Sequence, residues 1–362
     1  MASSEAIPKK YKAIVYDKPG TISTKIEELD MPEPGPGEVL INLTHSGVCH
    51  SDMGVMMNSW AMLPFPTQPG QVGGHEGVGK IVKMGPGTQQ AGVKEGQRVG
   101  IKWMAGICEA CEACRAGHDA MCFSGKISGY YTPGTFQQYV LSPANYVTPI
   151  PDGLDSASAA PMLCAGVTVY SALRKSAAES GNWVAILGAG GGLGHLAVQF
   201  SARAIGHRVI GIDHSSKKDL VLSSGAEHFV PIDGTDSVAD AVKALTGGLG
   251  AHAVLVLTAN NAAYASCVEL LRFGGRVCVV GIPEGEPVPI ASALPQVLVA
   301  KAISIHGIAV GNRREAIETL EFAARGIVKT HYRVEKMEKL TDVFREMWEG
   351  KLKGRVVLDL ES

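Results

Sequence analysis

The chain has 362 residues, long for one hydrophobic core and comfortable for two. Hydrophobic residues make up 46% and charged residues 19%, the make-up of an ordinary globular protein. The 33 basic and 35 acidic residues leave a net charge of −2, which gives no reason to expect nucleic acid or an acidic membrane as partner.

In chain order, the opening MASSEAIPKKYKAIVY has no secretory apolar core and lacks the Arg-rich, acid-poor character of a transit peptide. No apolar run approaches the roughly 18 residues of a membrane span. A cytoplasmic protein is expected, and there eight cysteines suggest metal or catalysis before disulfides. Residues 11–16, YKAIVY, and 38–43, EVLINL, read as strands joined by the turn-rich MPEPGPG of 31–37. Up to about residue 150 the chain stays rich in Gly, Pro and short apolar runs, which suits an irregular β-rich domain. SASAAPMLCAGVTVYSALRKSA, near 156–177, looks helical. Then strands and helices alternate: WVAIL (183–187), a helix from 193, RVIGID (208–213), AVLVL (253–257), RVCVVG (276–281) and ISIHG (303–307). This alternation argues for a parallel sheet covered by helices. Two charged helical stretches follow from about 311, and GRVVLDL reads as a final strand. There are no internal repeats.

Two groups of residues have metal-ligand character. In CEACEACRAGHDAMC, Cys108, Cys111, Cys114 and Cys122 are separated by two, two and seven residues. Four thiolates saturate tetrahedral Zn²⁺ and order a loop that has no core of its own. Buried or redox-active thiols, or an iron–sulfur cluster, are the alternatives. The second group is scattered: Cys49 in GVCHSD, His75 in GGHEGVG and Cys164 in PMLCAGVT. Two cysteines and one histidine make a zinc site with an open fourth position, the catalytic pattern. Asp52 would accept the second ring N–H of His75 and fix its tautomer. Glu76 is either a transient ligand or a buried carboxylate in a polar network. Cys267 and Cys278 read as core residues.

WVAILGAGGGLGHLAVQFSARAIGHRVIGID runs from a strand into Gly188, Ala189, Gly190, Gly191, Gly192, Leu193 and Gly194, then into a helix with apolar residues at 193, 196, 197 and 200. Glycines permit close approach of a dinucleotide pyrophosphate, held at the helix N-terminus. Asp213, nineteen residues after Gly194, would bind the adenosine ribose hydroxyls and favour NAD(H) over NADP(H). Lys217 and Lys218 temper that preference.

GVCHSD, GGHEGVG, IKWMAG, the Cys loop, SGYYTPGTFQQY, LCAGVTVY, GAGGGLG, VGNR and GRVV, in that order, resemble the zinc-dependent medium-chain alcohol dehydrogenases of the yeast and fungal type. The resemblance covers almost the whole chain. It implies an α/β protein with a GroES-like β-rich catalytic domain, residues 1–164 and 311–362, around a Rossmann NAD-binding domain, 165–310. It implies two zinc ions per chain, one on Cys49, His75 and Cys164 and one on the four loop cysteines. It also implies cofactor contacts from His50 to the pyrophosphate, Thr168 near the nicotinamide, Lys218 near the ribose, and Val280, Gly281, Ile282 and Arg355. A homotetramer is implied as well.

The chemistry so implied is reversible hydride transfer between a small primary alcohol or aldehyde and NAD(H), with zinc as Lewis acid. Ser51 would accept the alcohol proton and pass it to the nicotinamide ribose. The yeast type then uses a histidine eight residues after the first zinc cysteine; here that position is Met57, which carries no proton. Activity rising toward alkaline pH is the expectation. Trp60 and Trp103 match pocket-lining aromatics of the family, and plain core packing is their alternative. Rival readings are a dehydrogenase for bulkier secondary or specialised-metabolite alcohols, and a non-catalytic NAD-binding protein.

Overall fold

The computed structural model describes residues 7–60 and 63–361. The first six residues, part of the stretch that argued against a leader, lie outside the described residues. The chain divides into two compact units. One runs to Cys164 and takes in Asn312–Glu321 and the chain from Tyr332 onward; the other comprises Ala165–Gly311 and Phe322–His331.

The first unit is built on a seven-stranded sheet. Its long strand Glu38–Val48 carries a run of apolar residues and buries Val39, Leu40, Ile41 and Leu43. It pairs antiparallel with Gly77–Met84, Tyr139–Pro143 and, from the far end of the chain, Arg355–Asp359. Tyr332–Lys336 runs parallel to that last strand. Arg98–Ile101 and Thr148–Pro149 complete the sheet. A two-stranded hairpin, Lys10–Tyr16 with Thr24–Asp30, stands beside it. Ile14, Tyr16, Ile41, Met53, Met56, Phe136, Phe344 and Leu358 form the core.

The second unit is a six-stranded, all-parallel sheet. In spatial order the strands are His228–Pro231, Arg208–Asp213, Trp183–Leu187, Ala251–Val256, Leu271–Val279 and Ser304–Gly307. In chain order that is 3-2-1-4-5-6, the doubly wound arrangement whose order reverses beside the first strand. The buried strands read as nearly continuous apolar runs, as parallel strands covered on both faces do.

Three expectations need correction. The helix expected across 156–177 breaks into Ser156–Ala159, a 3₁₀ turn Ala160–Leu163 and Ala165–Lys175. Cys164 sits in the break with φ −128 and ψ −71, outside the helical region. The helix after the glycine loop starts at Gly194, one residue later than expected, and loosens into a π-helical turn at Phe200–Ile205. The stretch 311–362 is expected whole in the first unit, yet Gly311 and Phe322–His331 group with the second. Gln199 explains this: its amide donates to the Lys329 carbonyl at 2.9 Å and accepts from the Lys329 N–H at 2.9 Å. The Phe322 ring also packs against Tyr170 and Phe200. These partners are invisible to a reading that follows local periodicity. Among the described residues no single helix is long and apolar enough to cross a membrane.

Candidate functional site

Cys49, His75, Glu76 and Cys164 are all buried, and their ligand atoms lie within 4.8 Å of one another. Cys49 ends the long strand as the N-cap of helix His50–Met57. His75 and Glu76 lie just before Gly77–Met84, which pairs with that strand. Cys164 enters from the helix break. Tetrahedral zinc with bonds of about 2.3 Å to sulfur and about 2.0 Å to nitrogen holds neighbouring ligands about 3.5 Å apart. The His75 Nε2 to Cys164 Sγ separation is 3.2 Å, so the donor set fits such an ion.

Asp52 orders this group. It is 2% exposed, and its carboxylate accepts from His75 Nδ1 at 2.7 Å and from the Cys49 N–H at 2.9 Å. The first bond commits Nδ1–H outward and leaves Nε2 as the ligand nitrogen. The second closes a capping box at the start of the helix. The Tyr16 hydroxyl, buried beneath, donates to the Asp52 carbonyl at 3.0 Å. Cys49 is held well below the usual thiol range, first by its hydrogen bond with Cys164, whose own thiol is raised by the same bond.

Glu76 is fully buried. Its Oε1 is ion-paired with Arg355, Oε2 accepts no hydrogen bond among the described residues, and one of the carboxylate oxygens belongs to the donor group. Burial pushes its carboxyl up to about 7, against the pull of Arg355. Sequence reasoning missed this pair, because the partners are 279 residues apart. Gly47 of GVCHSD makes room for this carboxylate: a Cβ there would fall 1.9 Å from Glu76 Oε2. Arg355, implied as a cofactor contact, is 5% exposed, and its Nε has no partner among the described residues.

Ser51 is half-buried, its Oγ 3.7 Å from Cys49 Sγ. Met57 closes the helix, half-buried, followed by Asn58 in the left-handed conformation at φ 56. The Trp103 ring stands edge-on to His75 with centroids 4.8 Å apart and to Trp60 at 6.0 Å. Both indoles thus belong to the surroundings of the buried donor group.

In the loop of four cysteines, Sγ separations are 4.0 Å for Cys108–Cys114, 3.5 Å for Cys111–Cys114 and 4.0 Å for Cys111–Cys122. A tetrahedron of zinc–sulfur bonds has edges of about 3.8 Å. A multi-iron core would hold the sulfurs farther apart, so a single ion fits better. Backbone N–H groups point at the sulfurs, Cys108 N at Cys122 and Cys111 N at Cys108. Cys111 is lowered to about 6, first by such a donor at Cys114. Cys267 and Cys278 are fully buried in the other unit.

In the second unit the glycine loop leaves the C-terminal end of Trp183–Leu187, beside the reversal of strand order, where open α/β sheets bind ligands. Gly188 has φ +81, and a Cβ on Gly194 would fall 2.0 Å from the Gly188 carbonyl. Asp213 ends the neighbouring strand. Its carboxylate accepts from the Gly190 N–H at 2.7 Å and the His214 N–H at 2.7 Å. Lys218 opens helix Lys218–Ser224 and is exposed. Val280, Gly281 and Ile282 follow strand Leu271–Val279, and a Cβ on Gly281 would meet the Thr258 carbonyl at 2.3 Å. Thr168 lies buried in helix Ala165–Lys175. His50 opens its helix and is exposed.

Residues 35–152 match the alcohol dehydrogenase GroES-like domain family and residues 192–325 the zinc-binding dehydrogenase family. The chain is 63% identical over 367 aligned positions to alcohol dehydrogenase 2 of Emericella nidulans, spanning 99% of this chain and all of that protein. It is 41% identical to an alcohol dehydrogenase of Schizosaccharomyces pombe, over 98% of this chain and 99% of the relative. Among solved structures, the alcohol dehydrogenase of the hyperthermophilic archaeon Aeropyrum pernix superposes with a TM-score of 0.85 at 29% identity, over 96% of this chain and 99% of that one.

Proposed function

This chain belongs to the zinc-dependent medium-chain alcohol dehydrogenases of the fungal type, and from that premise we propose that it interconverts small primary alcohols and aldehydes with NAD(H). One observation carries the proposal: three side chains from separate segments, Cys49, His75 and Cys164, converge with Glu76 in a buried pocket where Asp52 dictates which nitrogen of His75 faces inward. A group that only held a dinucleotide has no use for such an arrangement.

In this reading Cys49, His75 and Cys164 hold one Zn²⁺, and Cys108, Cys111, Cys114 and Cys122 a second, structural one. Bound zinc supplies Lewis acidity to the substrate oxygen. The chain's own residues do the rest. Ser51 accepts the alcohol's hydroxyl proton while passing its own on to the nicotinamide ribose, as the alcohol gives its hydride to NAD. Glu76, with its free Oε2, is a reserve donor for the metal, and Arg355 keeps its charge in place. Trp60 and Trp103 exclude water and limit the alcohol to small, unbranched chains. The glycine loop and Asp213 bind the NAD pyrophosphate and ribose, with His50, Thr168, Lys218 and residues 280–282 as further contacts. The assembly we propose is a homotetramer in the cytoplasm, by likeness to the family.

The test is NADH formation across a panel of linear, branched and aromatic alcohols, with zinc counted per chain before and after chelation. Two ions per chain and activity on short linear alcohols that the chelator abolishes are the expected results. A preference for bulky secondary alcohols would move the protein to the rival substrate class. An NAD-binding chain with no activity on any alcohol would end the enzyme reading.

A further inference from the structure

The VGNR motif at 310–313 has no role in the chemistry above, yet its last two residues grip the loop of four cysteines. Asn312 Nδ2 donates to the Gly117 carbonyl at 3.1 Å. Arg313 reaches both ends of the ligand loop. Its Nη1 donates to Glu109, the neighbour of Cys108. Its backbone N–H donates to Asp119 Oδ2 at 3.0 Å, and its Nε pairs with the same oxygen at 3.4 Å. Asp119 stands three residues before Cys122 and is 2% exposed. The Tyr146 hydroxyl adds a third bond to it at 3.2 Å, and Asn145 holds the other oxygen of Glu109 at 3.0 Å.

The platform is rigid. Asn312 and Glu315 cap helix Arg313–Ala324 reciprocally, at 2.9 Å each way. The Arg313 N–H is one of the donors that a helix start leaves without an internal partner, and Asp119 satisfies it from across the fold. One side chain on a capped helix therefore ties the first and last arms of a chelating loop together.

We propose that Arg313, with Asn312, is a positioning residue for the structural metal: it clamps the Cys108 and Cys122 arms so that a thiolate that lets go of the ion is returned to it. This rests on reading the four cysteines as a metal site. A chelate ring loses its ion through successive single detachments. Pinning both arms keeps the detached sulfur at high effective concentration and slows loss. Removing an outer partner of this kind weakens a metal site by about 10- to 100-fold.

The experiment follows zinc release from the full-length, zinc-loaded protein into excess EDTA. Alkylation of freed cysteines, mapped by mass spectrometry, tells which site has opened. Arg313→Ala is expected to release one of two ions about 10- to 100-fold faster, with Cys108, Cys111, Cys114 and Cys122 alkylated first and Cys49 and Cys164 at the wild-type rate. Arg313→Lys keeps the charge without the two-armed fork and falls between. Glu109→Gln frees one arm only and is the variant to use if Arg313→Ala does not fold. Arg314→Ala, which loses only a surface pair with Glu318, leaves release unchanged. Wild-type release rates in both Arg313→Ala and Glu109→Gln would overturn the clamp while leaving the metal site standing. A wild type whose loop cysteines are alkylated at once, with a single ion per chain, would overturn the metal reading itself and the clamp with it.

Discussion

Replacing Asp52 by Asn tests how far one buried carboxylate controls the reactive metal group. The carboxylate accepts two bonds, from His75 Nδ1 and from the Cys49 N–H, and both donors belong to residues of the ligand set. An asparagine is nearly the same size but offers one acceptor oxygen and one NH₂. One donor keeps its partner and the other faces an N–H. Losing a hydrogen bond to a charged group costs about 1.5–3 kcal/mol. That matches the 10- to 100-fold loss of metal affinity, about 1.4–2.7 kcal/mol, seen when an outer-shell partner is removed. Asp52→Asn should therefore surrender one of two zinc ions to a chelator at about 10- to 100-fold lower free chelator concentration, while the loop cysteines keep theirs. The assay is a chelator titration with zinc counted per chain. Equal retention within about threefold, under a difference of roughly 0.7 kcal/mol, would show that Asp52 serves the helix cap and not the metal.

Three further outcomes are expected. Met57→His should raise alcohol oxidation at neutral pH by up to roughly 100-fold, the lower limit of what a positioned base supplies, and flatten the rise toward alkaline pH; an unchanged pH–rate profile would remove the missing-base argument. Gly194→Ala places a Cβ 2.0 Å from the Gly188 carbonyl, an overpacking cost of about 1–3 kcal/mol; fluorescence titration should show NADH affinity falling at least about fivefold with zinc content intact. His207 is buried between Ser201 Oγ and the Ala178 carbonyl, and burial lowers its pKa. The unfolded chain then takes the proton first, so stability is full above about pH 6.5 and declines as pH falls below it; denaturant melts of His207→Gln should lack that part of the acid decline.

The sheet strands, the glycine loop and the four-cysteine loop were legible because each is written in consecutive or closely spaced residues, whereas the scattered Cys49, His75 and Cys164 could be grouped only by their donor chemistry and the family resemblance. Strand Trp183–Leu187, loop 188–194 and Asp213 fall at the expected places because apolar runs and glycines impose themselves locally. The Asp52–His75 bond was inferable from chemistry: a ligating imidazole needs a partner for its second nitrogen. What escaped was pairing across long stretches of chain. Nothing near Glu76 announces Arg355, nothing near Lys329 announces Gln199, and nothing near Asp119 announces Arg313. In each case the partner is set by topology, which brings remote segments side by side. The break at Cys164 had a local signal: Pro161 and Gly166 flank it and are the poorest helix formers, but the alanines around them made the whole stretch look helical.

The route of the chain between its two units has a consequence for synthesis on the ribosome. The parallel sheet can be assembled from a single contiguous stretch, Ala165–Gly311, before the residues that follow it are made. The mixed sheet of the first unit cannot: Arg355–Asp359 lies between Tyr332–Lys336 and Glu38–Val48 and is made only after the whole of Ala165–Gly311. Until it inserts, Glu76 has no guanidinium beside it, and the pocket of Cys49, His75 and Cys164 has a bare carboxylate as its wall. On the proposed reading of that pocket, its wall is completed only after the stretch that builds the parallel sheet has been made, so metal loading there would follow Arg355–Asp359 into the sheet.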